Sequence, residues 1–315
     1  MKLKRRQFLF FGSLSTLGAG IFSFLGRQNS NYTYTAAVAN TVVAAKPKTK
    51  DLLLRFVSVA DTGTGDRGQY FVAKAMTQYH SQNPYDLILL AGDNIYTNGE
   101  IEKINEVFER PYASLLQKGV KFQAVLGNHD VRTDNGYLQM KYVNFNMLGR
   151  FYTFRRDKPG TASAKGERIQ FFALDTNNNA DWKNQLIWLE NELSRSNAPW
   201  KIVYGHHPIY ASGVYGSNPD FIKIFTPLFQ KYGVQLYING HEHHYERTKA
   251  INGTTYLICG GGAGTRPVGS SEWTDYSASK LSFAAYEVYT DRIEISGIDT
   301  DNRIFDKGII PLKST

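Results

Sequence analysis

The stretch Leu87-Ile88-Leu89-Leu90-Ala91-Gly92-Asp93-Asn94-Ile95-Tyr96 sets an unbroken aliphatic run directly against a cluster of small and polar residues. Four consecutive aliphatic residues bounded by turn formers read as a short buried strand, because a strand covered on both faces shows no polar alternation. The same layout recurs on either side. Leu52 to Val59 leads into Ala60-Asp61-Thr62-Gly63, and Phe122 to Leu126 into Gly127-Asn128-His129-Asp130. Further on, Ile202-Val203-Tyr204 leads into Gly205-His206-His207-Pro208, and Gln235 to Ile238 into Asn239-Gly240-His241-Glu242-His243-His244.

Between these runs, apolar residues at helical spacing predict helices over 68–80, 101–116 and 185–193. Phe221, Ile224, Phe225, Leu228 and Phe229 mark another helix, whose start Pro227 limits or whose axis it kinks. Strands alternating with helices predict an α/β sheet. Residues 282–310 lack a helical period and read as an antiparallel hairpin. In α/β sheets, ligands collect beyond the carboxyl ends of the strands, so five polar strand ends are expected to converge.

Six of the seven histidines fall in three of these clusters. Scattered core or surface histidines have no reason to group this way, so the set points to metal ligation. Asp61, Asp93 and Asn128 add oxygen donors, and mixed imidazole and carboxylate sites suit zinc, iron and manganese better than magnesium or calcium. The single cysteine, Cys259, lies outside the clusters, which disfavours a structural zinc finger, and it reads as a small buried residue.

The N-terminus reads as a targeting segment. Lys2, Lys4, Arg5 and Arg6 precede an apolar stretch over 8–25, and small residues follow at Ala36-Ala37-Val38-Ala39 and Val43-Ala44-Ala45. Lys4-Arg5-Arg6-Gln7-Phe8-Leu9 resembles a twin-arginine signal. The expected organisation is therefore an export signal and linker over 1–45, or an uncleaved membrane anchor there, followed by a single domain over 46–315. Five of the eight excess positive charges lie in residues 1–45, which have no acidic residue. The remaining +3 shows no clustered basic run, so nucleic acid is not an expected partner.

Taken in order, the five motifs resemble those of the calcineurin-like metallophosphoesterases, and within them the short, tartrate-resistant type of purple acid phosphatase. The resemblance spans about residues 52–300 and implies a β-sandwich of two mixed sheets flanked by helices, with the metal site at the strand C-terminal ends. It implies that Asp61, Asp93, Tyr96 and His243 hold Fe(III), and that Asp93 bridges to a divalent Fe, Zn or Mn. Asn128, His206 and His241 complete the second site, while His129 faces the substrate. Catalysis would then rest on Asp93, Asn128 and His129. Tyr96 decides the subfamily, since its phenolate on Fe(III) gives the family its colour.

The implied function is that of an exported acid phosphatase, periplasmic or extracellular, hydrolysing small phosphate monoesters. The expected reaction is direct attack by a metal-bound hydroxide, without a phosphoenzyme and with an acidic optimum. The export machinery would be its other partner. Two alternatives remain open: a phosphodiesterase acting on nucleotide or phospholipid-derived diesters, and a metal-stabilised binding protein at the cell surface. Two positions depart from the short type. His207 stands where an aromatic or another residue is usual, and His244-Tyr245-Glu246-Arg247 resembles plant members more closely. Asp130 is expected either to fix the His129 tautomer or to lie at the surface. Asp175 and Thr176 are expected to orient ligands or cap a helix.

Overall fold

The computed structural model describes residues 51–156 and 168–312. The export signal or anchor expected over 1–45 lies outside the described residues. The described residues form two mixed sheets. The first carries β1 (Leu52–Val59), β2 (Leu87–Leu90) and β3 (Lys121–Ala124), which are mutually parallel. On the other side of β1, the strands β11 (Ser282–Tyr289), β12 (Arg292–Asp299) and β13 (Ile304–Pro311) extend it antiparallel, giving the order β13-β12-β11-β1-β2-β3.

The second sheet has β5 (Ile169–Ala173), β6 (Trp200–Tyr204), β7 (Leu236–Asn239) and β9 (Thr255–Cys259) running parallel. Antiparallel β4 (Tyr152–Arg156) closes one edge, and β8 (Tyr245–Thr248) with β10 (Thr274–Ala278) closes the other.

The core lies between the sheets. Phe56 of β1 stacks on its cross-strand partner Tyr286 with ring centroids 4.3 Å apart, and meets Phe171 of the opposite sheet edge-on at 5.3 Å. All three are fully buried, and each ring of this kind contributes roughly 2–3 kcal/mol by its removal from water. Trp200 is buried to the same degree and donates its indole N–H to the Tyr289 carbonyl at 2.9 Å, tying the two sheets together. Cys259 is buried in the core, and burial pushes its thiol up to about 12, which makes it inert. β13 alternates buried and exposed residues, as an edge strand with one wet face should.

Three helical expectations hold in outline. α1 (Arg67–Gln82) starts at Asp66, whose side chain accepts from the Gln69 N–H. α4 (Trp182–Arg195) starts likewise at Asp181, so Asp175 is not its cap. α5 (Pro219–Tyr232) begins at Pro219 and continues past Pro227. That proline faces solvent, where water can satisfy the carbonyl that its missing N–H leaves free.

The helix expected over 101–116 is instead broken. It divides into a tight turn at Ile101–Lys103, a wide turn at Asn105–Glu109 and α2 (Ala113–Gln117). Pro111 accounts for the break before α2, since it has no N–H to continue the hydrogen-bond ladder, and the backbone leaves the helical region at Tyr112 (φ −102°, ψ 11°). The expected C-terminal hairpin is β11 and β12, with β13 as an additional third strand. Beyond β3, α3 (Tyr137–Lys141) is a single turn.

Candidate metal centre

The parallel strands of both sheets point their C-terminal ends the same way. β1, β2 and β3 deliver Asp61, Asp93 and Asn128, while β6 and β7 deliver His206 and His241. Asp61, Asp93 and His241 have φ of 58°, 53° and 68°. Such left-handed backbone is costly for residues other than glycine, and it persists where the surrounding fold dictates it, most often at functional sites. Here it turns each side chain back across the end of its own strand. Two glycines allow the crowding that results. A Cβ on Gly92 would lie 2.5 Å from His206 Nδ1, and one on Gly260 would lie 2.8 Å from Asp61 Oδ2.

The seven side chains expected to hold metal fall into two lobes. In the first, Tyr96 Oη lies 3.0 Å from Asp61 Oδ1 and 3.2 Å from His243 Nε2, and His243 Nε2 lies 3.4 Å from Asp61 Oδ1. In the second, His206 Nε2 lies 3.2 Å from Asn128 Oδ1 and 3.3 Å from His241 Nδ1. Asp93 links them: its Oδ2 is 3.5 Å from His206 Nε2, and one ligand atom each of Asp61, Asp93 and His206 lie within 4.8 Å of one another. A cleft of about 530 Å³ opens beside the first lobe, lined by Tyr96, Thr97, Lys103, His243 and Gly264.

The donor set fits metal ions. His206 Nδ1 is 2.9 Å from the Ala91 carbonyl, which only accepts, so this nitrogen carries the hydrogen. In the neutral ring Nε2 is then a lone pair, and it faces the Asp93 carboxylate, the Asn128 oxygen and another imidazole nitrogen. Acceptors converging on one point need a cation between them. Without metal, a proton fills that place. Burial opposes charge on His206, but the Asp93 carboxylate outweighs it and pushes the imidazole up to about 9.

Burial likewise works to raise the Asp93 carboxyl, yet His206 and the His129 backbone N–H hold it well below the usual range. Burial and the two aspartates push the Tyr96 phenol far above its ordinary value, so a phenolate here requires metal as countercharge. Burial and the charge on His206 push His241 down to about 4 and, with His241 as a further cause, His207 down to about 2.

Around these groups lies a supporting layer. Asp130 is fully buried and does not fix the His129 tautomer as expected. It turns inward and accepts from the backbone N–H groups of Asn94, Ile95 and Gly127 at 2.8–3.1 Å. Thr97 orients His129 instead, its carbonyl accepting from His129 Nδ1 at 2.7 Å, so that Nε2 is left free, 3.9 Å from Asp93 Oδ2. Thr176 sits behind His206 and His207 and bonds both. Asp175 accepts from Arg150 Nε at 2.6 Å. His244 is buried, with Nε2 3.4 Å from Glu246 Oε2.

Sequence reasoning missed Glu242. It lies between the two histidines of His241-Glu242-His243, is fully buried, and accepts from the N–H groups of Val214, Tyr215 and Gly216. This lays residues 213–216 over the site, where Tyr215 stacks on His241 at 4.7 Å and the Arg266 guanidinium lies 5.0 Å from the Tyr215 ring. The only signal was an acidic residue placed between two ligand candidates.

Two packed mixed sheets with carboxylates, imidazoles and a phenol gathered at their strand ends define a metal-dependent phosphoesterase. The family model for calcineurin-like phosphoesterases matches residues 54–245, and the chain belongs to that family. Among its relatives, purple acid phosphatase 7 of Arabidopsis thaliana is 29% identical over 245 residues, covering 69% of this chain and 72% of that one. Tartrate-resistant acid phosphatase type 5 of Mus musculus is 26% identical, over 66% of this chain and 72% of its own.

Among solved structures, GAP50, described as the anchor in the inner membrane complex of Plasmodium, superposes with a TM-score of 0.75 at 22% identity over 84% of this chain and 90% of its own. Purple acid phosphatase PPD1 from yellow lupin (Lupinus luteus) seeds gives 0.69 at 18% identity, over 83% of this chain and 54% of that one. These two likenesses bear out the expected sandwich fold, and the relatives imply a binuclear centre.

Proposed function

We propose that this chain is an exported acid phosphatase that hydrolyses phosphate monoesters at an Fe(III)–M(II) pair, M being Fe, Zn or Mn. The observation that carries the reading is Tyr96 Oη, lodged against Asp61 and His243 beside the site that His206, His241 and Asn128 surround. Asp61, Tyr96 and His243 would hold the ferric ion. Asn128, His206 and His241 would hold the divalent ion, and Asp93 would serve both. When bound, the ions supply Lewis acidity that activates water and offsets the phosphate's negative charge.

The chain's own groups do the rest. The His129 N–H donates to Asp93 Oδ1 at 2.9 Å and fixes the plane of that carboxylate. Thr97 holds the His129 ring so that Nε2 faces the site, where its protonated form can donate to the leaving-group oxygen. Asn128 presents its side-chain oxygen beside His206 Nε2. The complete donor set favours an enzyme over a protein that merely binds at the cell surface. The twin-arginine-like start supports export, with the signal either cleaved afterwards or kept as an anchor.

Rates on a simple monoester and a simple diester test the substrate class, and a faster monoester reaction is expected. Hydrolysis of a chiral phosphate monoester in labelled water tests the chemistry. Inversion at phosphorus fits direct attack by water, whereas retention requires a covalent phosphoenzyme and overturns it.

A further inference from the structure

His207 packs against the site's imidazoles, and the proposed reaction leaves it without a task. One ring nitrogen each of His206, His207 and His241 lie within 4.8 Å of one another, which by distance alone would make His207 a third metal ligand. Hydrogen-bond counting argues otherwise. Thr176 Oγ1 accepts from the His206 N–H at 3.0 Å and from the His207 N–H at 2.9 Å. A hydroxyl has two lone pairs and one hydrogen, so both lone pairs are used. The same oxygen lies 2.9 Å from His207 Nδ1 and can bond it only by donating.

Nδ1 of His207 is therefore the lone-pair nitrogen, and in the neutral ring the hydrogen sits on Nε2. A nitrogen that carries hydrogen does not ligate a metal. It donates a hydrogen bond. Nε2 has no acceptor among the described residues, and the ring is only partly buried, packed 4.5 Å from His241 and 4.9 Å from His206. Backing the ring, Tyr237 Oη donates to the His207 carbonyl at 2.8 Å, so the backbone is anchored as well.

We propose that His207 is a phosphate-binding residue whose Nε2–H donates to a non-bridging oxygen of the substrate, with Thr176 as the positioning residue that sets its tautomer. The inference rests on the phosphatase reading above. It separates two imidazoles by chemistry. His129 gives its Nδ1–H to Thr97 and presents a lone pair or a transferable proton, whereas His207 presents a fixed N–H that it keeps.

The test uses the metal-loaded full chain and inorganic phosphate as the probe, bound in a calorimeter and as a competitive inhibitor. His207→Ala is expected to weaken phosphate binding and raise KM about tenfold, the scale of one hydrogen bond to a charged group, with both metals retained. His207→Gln places an amide N–H close to the Nε2 position and is expected to stay within a few-fold of wild type. His207→Asn reaches only to the Nδ1 position and should behave as the alanine variant does.

Thr176→Ser keeps the hydroxyl and should bind phosphate as wild type does. Loss of metal in His207→Ala would make the residue a ligand and overturn the proposal. So would equal phosphate binding by wild type and His207→Ala. If the alanine variant does not fold, the glutamine and asparagine pair decides, and equal phosphate binding by those two overturns it. Absence of hydrolysis by the metal-loaded wild type would instead defeat the phosphatase reading itself.

Discussion

Asp130 grips Asn94 twice, accepting its backbone N–H on both carboxylate oxygens at 2.9 and 3.1 Å and its side-chain amide at 3.0 Å. Asn94 follows Asp93 directly, so the buried carboxylate locks the backbone that aims Asp93 between the two lobes. Asn94 in turn donates to the Val125 carbonyl at 2.9 Å, which ties the β2 and β3 strand ends to each other. Burial and the Asp93 carboxylate push the Asp130 carboxyl up to about 7, and the backbone N–H groups pull against that rise.

Replacing Asp130 by Asn would turn an amide NH2 toward backbone donors that now meet oxygen. Asp130→Asn is expected to cost about 2–4 kcal/mol, the scale of breaking a buried, charge-assisted network. Denaturant unfolding of the metal-free protein measures it, and metal content of the purified variant should fall alongside.

His129 is expected to matter in proportion to how badly the leaving group needs a proton. His129→Ala should lower kcat about a hundredfold on alkyl phosphates, within the usual range for general acid catalysis. On a nitrophenyl phosphate, whose leaving group departs unprotonated, the loss should be several-fold at most. Equal losses on both substrates would remove the acid role.

Glu242 acts on the site through residues 213–216. Glu242→Gln swaps one accepting oxygen for a donor that faces backbone N–H groups, at a local cost of about 1–3 kcal/mol. Amide exchange at 214–216 should quicken, and KM should rise several-fold with little change in kcat, because Tyr215 would lose its fixed stack on His241.

Metal-stripped protein should carry a pH signature. Its His206 is raised to about 9 from about 6.5 in an unfolded chain, so folding favours the protonated ring. That stabilisation is complete below about pH 6.5 and disappears as the pH climbs through about 9. Thermal unfolding should therefore come earlier at pH 9 than at pH 6.5. Reloading with metal, which displaces this proton, should abolish the difference.

The strand ends were legible because each joins a run of aliphatic residues to a glycine-flanked Asp, Asn or His, and both parts of that signal are local. Tyr96 was legible from the unbroken Gly92-Asp93-Asn94-Ile95-Tyr96 string. Other features depend on distant contacts. The apolar runs of β3 and β6 look alike, so nothing local told that one belongs to each sheet. Apolar spacing alone read 101–116 as one helix, and that signal does not register the N–H that Pro111 lacks. The role of Glu242 depends on backbone returning from nearly thirty residues upstream, and that of Asp130 on a turn inward that its neighbour His129 does not share.

The account depends above all on a two-ion cage with the Tyr96 phenolate on iron. Metal analysis combined with a visible spectrum of the purified protein and of Tyr96→Phe tests it most directly. The expected result is two metal ions per chain, at least one of them iron, with a visible phenolate-to-Fe(III) charge-transfer band that Tyr96→Phe abolishes. A colourless, iron-free wild type that hydrolyses monoesters at full rate with two divalent ions would contradict it.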